Sequence, residues 1–278
     1  MKRKRCMLNG AMLFLAILFW DCTGKAYYEH SPYKHIFEEE EVFLGNDVSS
    51  PFCDFSIDYT YLNEDNDSVA MLINRKIQQE FLGEEYATIT PEMAVDSFKN
   101  VHLADYSREI GILYQNEKKE FGTNEGFPAW YNRTYSLVTF IEEGHEGVIN
   151  ASANYFVDMG GAHPNQWSRW MNFDTMSGKQ LTLEEVFLPS AKTHIEKLLL
   201  DMLICMQAEQ YSEENITSLE DLQKLGFLQM TNMYIPDNFL LGKEAVLFLF
   251  NRYDIAPYAA GEIIIEVPYE KIRFYLKK

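Results

Sequence analysis

Cysteine is scarce, with four in 278 residues, at positions 6, 22, 53 and 205. None stands in a CxxC pair or in a Cys/His zinc spacing, which removes zinc ribbons and thioredoxin-like redox motifs. Four other signatures are missing: the serine elbow GxSxG, the zinc-protease HExxH, the phosphate-cradling GxxxxGK[ST] and the dinucleotide GxGxxG. With them go the commonest hydrolase, metalloprotease and nucleotide-binding sites, and no cofactor is implied. No apolar run is long enough to cross about 30 Å of hydrocarbon comfortably. Cations are also few, at 24 Lys and Arg against 42 Asp and Glu, a formal charge of -18. That field repels nucleic acid and anionic lipid and steers a cationic partner inward. General solubility is the plainer reading of the same charge.

What is present begins with an address. "MKRKR" is a basic start, "MLNGAMLFLAILFW" an apolar stretch, and a cleavage zone follows, so residues 1–26 read as a signal peptide. Two cleavages stand open. Cys22 lies where a bacterial lipoprotein is acylated, although "FWD" lacks the usual small residue before it, while Gly24 and Ala26 suit an ordinary secretory cut. Either way the chain is expected outside the cytoplasm, periplasmic or held at the outer membrane only through a lipid. Residues 27–51, with four consecutive glutamates and no sustained period, read as a tether. His30 and His35 beside Glu38 to Glu41 are a conceivable metal trap, but an exposed acidic run is the commoner meaning. Cys53 and Cys205 could pair after export, or stay as buried thiols.

From position 52 the patterning is that of a folded unit. Phe55, Ile57, Tyr59 and Tyr61 alternate as a half-buried strand, and Val69, Leu72, Ile73, Ile77 and Phe81 recur at helical steps before Gly83. Thr90 and Pro91 open a long helix. "YNRTYSLVTFI" and "GVINASANYFVD" form a hairpin with His145 at its tip. Gly160 and Gly161 close its second strand, and the next places Trp167, Met171 and Phe173 on one side and Trp170 on the other. Thr182 and Glu185 make a capping box, which gives Glu184 and Glu185 a backbone role rather than an acid/base one. A helix striped by Ile195, Leu199 and Leu203 follows, then "DNFLL" and "EAVLFLF" around Gly242 and Lys243, and the strand "GEIIIEV". The predicted fold is α+β, mainly antiparallel sheets with helices packed on one face.

Two segments carry the candidate site. Asp158, Gly160, Gly161, His163 and Trp167 form a glycine-rich corner, in which His163 and Asp158 are an acid/base pair only if the backbone folds back. A histidine bonded to backbone at a strand break, with Asp158 capping the turn, is the simpler account. Tyr253, Pro257 and Tyr258 form an aromatic loop suited to a sugar ring or a partner's groove, or to closing the edge of the core.

"GGAHPNQWSRWMNFDTMSGKQLTLEEVF" and "YDIAPYAAGEIIIEVPY" resemble the extracellular module of RsiV-type anti-sigma factors and the non-catalytic region of PdaC-type wall deacetylases. The resemblance covers roughly 150 to 275 and implies two intimately associated subdomains, the module at 151–278 and its usual companion at 52–150, while Pro164 departs from the family's common glycine. It implies an exported, non-catalytic binding module without a sigma-binding segment or deacetylase domain. The implied partner is lysozyme or another cationic protein, or peptidoglycan fragments. An enzyme acting on wall glycan through Asp158 and His163, and a structural envelope component, are the alternatives.

Overall fold

The computed structural model describes residues 31–45, 49–65, 67–121, 127–212 and 214–277. The expected signal peptide, the lipidation at Cys22 and His30 all fall outside these residues. The architecture is α+β with mostly antiparallel sheets, as its sequence pattern requires.

A five-stranded sheet comes first, built from β1 (Tyr33–Phe43), β2 (Phe52–Leu62), β3 (Arg133–Glu143), β4 (Val148–Asp158) and β5 (Asn165–Asp174), in that spatial order. Only β2 and β3 run parallel, and their connection carries helices α1 (Ser68–Phe81) and α2 (Pro91–Phe121). The Asp67 carboxylate accepts from the amides of Val69 and Ala70, satisfying donors that the first turn of α1 leaves free. Phe55, Ile57 and Tyr59 of β2 pack with Ile73, Ile77 and Tyr106 into one core and are wholly buried. Burying each such side chain contributes on the order of 1.5–3 kcal/mol.

Strand period confines the basic residues of this sheet to one face. The Lys and Arg of the five strands, Lys34, Arg133 and Arg169, occupy the same alternating set as the core residues. On the opposite face lie Glu39, Glu41, Asp54 and Asp58, beside Phe37 and Phe140, which are 64% and 52% exposed.

The second core surrounds a short antiparallel sheet of β6 (Phe239–Leu241), β7 (Ala245–Phe250) and β8 (Ile263–Pro268). Around it pack α3 (Leu183–Val186), α4 (Lys192–Gln210), α5 (Leu219–Lys224) and α6 (Tyr269–Ile272). The capping box at Thr182 and Glu185 is present. Ile195, Leu199 and Leu203 form the fully buried stripe of α4.

Three expectations need correction. The tether expected over 27–51 is, from Tyr33 to Phe43, an edge strand. Its glutamates conceal the alternation because Lys99 of α2 neutralises the inward pair, its Nζ lying 2.9 Å from Glu38 and 3.5 Å from Glu40. The boundary placed at 150 falls inside β4, which pairs with β3 and β5 in one sheet, and apart from Val148 the second core gathers after Asp174. Finally, Cys53 is a buried free thiol, so it is not bonded to Cys205, and Cys205 itself is half-buried on α4. Burial pushes the Cys53 thiol up to about 11.

Candidate functional site

The corner after β4 is built by glycine. The Asp158 carboxylate accepts from the Gly160 amide at 2.8 Å, and Gly160 adopts φ 68. A Cβ there would lie 2.2 Å from the carbonyl oxygen of Ala129, so no other residue fits. Gly161 has open space around it. This turn carries the chain out to His163, which is exposed.

His163 meets the second segment directly. Its ring stacks on Tyr258, centroids 3.9 Å apart and planes 21° apart, and its Nε2 lies 3.1 Å from the Tyr253 hydroxyl, 90 residues away in sequence. Nδ1 faces the Pro164 carbonyl at 3.1 Å. A carbonyl only accepts, so in the neutral ring Nδ1 carries the proton and Nε2 accepts from Tyr253. The Tyr258 hydroxyl donates to the same Pro164 carbonyl at 2.8 Å. Arg252 closes the cluster: its guanidinium carbon is 4.8 Å from the centre of the Tyr258 ring, and Nη2 donates to Gln166 at 2.7 Å.

Tyr253 sits at φ 72, a left-handed backbone that a tyrosine adopts at a cost of about 1–3 kcal/mol, and its side chain is 62% exposed. The Asp254 carboxylate holds that turn by accepting from the Asn251 amide at 2.7 Å. Pro257, also exposed, borders Gly226, where an added Cβ would meet its ring at 3.1 Å.

The structure thus assembles His163, Tyr253 and Tyr258 on the frame set by Asp158 and Gly160, with Pro257 alongside. It does not assemble the acid/base pair: Asp158 is engaged with the turn, and His163 faces a carbonyl and a phenol. Trp167 parts from the group. Its indole stacks on Tyr155 at 4.7 Å and 6°, and it walls a crevice of about 310 Å³ towards α1. Among the described residues no three His, Cys, Asp or Glu side chains converge as a metal ion requires.

Sequence reasoning missed the residues that hold the two cores in register. Asn238 Oδ1 accepts from the Trp170 amide at 2.6 Å, and its Nδ2 donates to the Ser168 carbonyl at 2.7 Å. Asn251 repeats the pattern on Ser168, with contacts of 2.7 and 3.1 Å. Asn172 reaches the other way, donating to the Phe239 carbonyl and accepting from the Leu241 amide at 2.9 and 2.7 Å. The available signal was asparagine within the β5 run, at Asn172, and directly flanking the apolar runs of β6 and β7, at Asn238 and Asn251, places where it is depleted unless its amide is used.

Residues 184–270 match the family model described as "Protein of unknown function (DUF3298)". The DUF3298 match covers the second core and the Tyr253–Tyr258 loop and begins after the glycine corner. Two solved structures of DUF3298 proteins share the fold. One, from Bacteroides fragilis, is 24% identical with a TM-score of 0.78, over 88% of this chain and 93% of its own. The other, from Pseudomonas aeruginosa, is 17% identical with a TM-score of 0.57, over 88% and 94%. No curated protein matches the chain.

Proposed function

We propose that the chain is an exported cell-envelope protein, anchored through Cys22, whose non-catalytic module binds a basic protein of the lysozyme kind at the His163, Tyr253 and Tyr258 cluster. The observation that carries this reading is the convergence of the two motif segments into one aromatic rim, with His163 and Tyr253 exposed and Tyr258 half-buried. Tyrosine offers a large amphipathic contact at small entropic cost, and an exposed ring on strained backbone is the kind of feature that function retains. The charge of -18 favours association with a cationic protein, and the likeness to RsiV-type modules names lysozyme as the first to try. An aromatic anchor whose histidine faces a carbonyl and a phenol suits binding better than hydrolysis.

Titration calorimetry of the purified protein against a lysozyme at low salt is the test. Saturable binding is expected, weakening as salt screens the long-range attraction. Tyr258→Ala should weaken it at least tenfold, about 1.4 kcal/mol, while the circular dichroism spectrum stays that of the folded protein. The absence of any heat or complex at low salt would overturn the proposal.

A further inference from the structure

We infer that the crevice walled by Trp167 is a saccharide site, separate from the His163 cluster. Trp167 is 38% exposed, and its parallel stack on Tyr155 covers one face of the indole. The crevice adjoins this indole, and Tyr234 lines the same space. Such a surface suits the C–H face of a pyranose ring. The ring's hydroxyls then need acceptors and donors together, and the crevice provides both: the carboxylates of Glu80, Asp237 and Asp254, and the guanidinium of Arg169.

Arg169 decides between ligand classes. A basic side chain would be drawn to three carboxylates, but two are already engaged within the protein, Glu80 Oε2 with Arg169 Nη2 at 3.4 Å and Asp254 with the Asn251 amide at 2.7 Å, so it would have to compete for them. An anion meets a surplus of negative charge. A neutral polyol meets neither penalty, and it can use both signs at once. The walls are also fixed before any ligand arrives, because the Asn238 and Asn251 amides lock β5 to the second core at the floor of the crevice. Preorganisation of this kind spares the ordering cost of binding. The volume of about 310 Å³ stands at the lower end of small-ligand pockets, about 300–1,000 Å³, room for one or two sugar units.

Triacetylchitotriose is the probe, added to the full protein while tryptophan fluorescence is followed. A saturable change with Kd at or below about 1 mM is expected. Trp167→Ala should abolish it. Because that change also removes the stack on Tyr155, Asp237→Asn serves as the second variant: it is exposed, should leave the thermal midpoint unchanged and should weaken the sugar at least fivefold. Tyr258→Ala, in the other cluster, should leave the sugar titration as it is, so the two sites fail or succeed separately. No saturation at several times about 1 mM, equal binding by Asp237→Asn and the parent, or saturable binding of arginine amide in place of the sugar would each overturn the inference.

Discussion

The five-stranded sheet has two edges, and the protein treats them differently. At β1 the outer strand pairs only with β2 and carries Glu38 to Glu41. Two of these glutamates turn inward to Lys99, and Glu39 and Glu41 face water, where a second acidic edge would be repelled. At β5 the second core lies against the edge, and the outward backbone groups of Ser168 and Trp170 are answered by asparagine amides. The Asn172 carbonyl there accepts from the Leu181 amide at 2.7 Å. A side-chain amide presents one donor and one acceptor, as a peptide unit does, so it can finish a ladder without another strand in register. Charge keeps one edge single, and amides join the other to a neighbour.

Breaking the amide seal should have the largest effect. Asn238→Leu keeps the branched shape but orphans the Trp170 N–H and leaves the Ser168 carbonyl with its 3.1 Å contact to Asn251 Nδ2. An orphaned N–H costs about 1–3 kcal/mol and a lost hydrogen bond about 0.5–1.5 kcal/mol, so a loss of about 2–4 kcal/mol is expected in urea unfolding. Unfolding that splits into two transitions would show that the amides also couple the two cores. A loss under about 1 kcal/mol would mean that the β5 edge depends on its seal no more than β1 does.

Next in size comes the turn that delivers β5 to its place. Gly160→Ala combines a left-handed backbone with a Cβ 2.2 Å from the Ala129 oxygen, and the chain must shift to accept it. A loss of about 1–3 kcal/mol in thermal or urea unfolding is expected. Gly161→Ala, where nothing lies within 4 Å, should be nearly neutral. Equal costs at the two positions would show that the corner is soft.

Much of this arrangement was legible in residue order. Period-two alternation identified the β2 core face, and Thr90 with Pro91 marked the start of α2, where the Met93 amide bonds Thr90 Oγ1. The glycine pair and the Tyr253 loop could be picked out, but their meeting could not. His163 and Tyr253 lie 90 residues apart and touch only because β5 and the second core are joined by contacts that leave no period in the sequence. The β1 strand was hidden by the opposite effect: with Lys99 supplying the inward charge from another element, glutamate stands at positions where a pattern reader expects an apolar residue. The division at 150 failed because it followed the extent of the resemblance, and only the pairing of β4 with both β3 and β5 shows that one sheet runs across it.

The smallest effect should come from the ionic tie on the β5 side. Glu80 of α1 takes Lys76 Nζ at 2.8 Å and Arg169 Nη2 of β5 at 3.4 Å. Burial alone would raise this carboxyl, but the hydrogen bond and charge of Lys76, with Arg169 behind them, hold it below its usual value. A carboxylate depressed in the folded state stabilises above its unfolded pKa of about 4.3 and loses that contribution as pH falls through the lower folded value. Glu80→Gln should therefore cost less than about 1 kcal/mol at neutral pH and flatten the acid limb of the stability curve below about pH 5. Urea midpoints measured across that range for both proteins give the comparison. Were Glu80→Gln to cost as much as Asn238→Leu, charge would be holding β5 as firmly as the amides do, and the contrast between the two edges would fail.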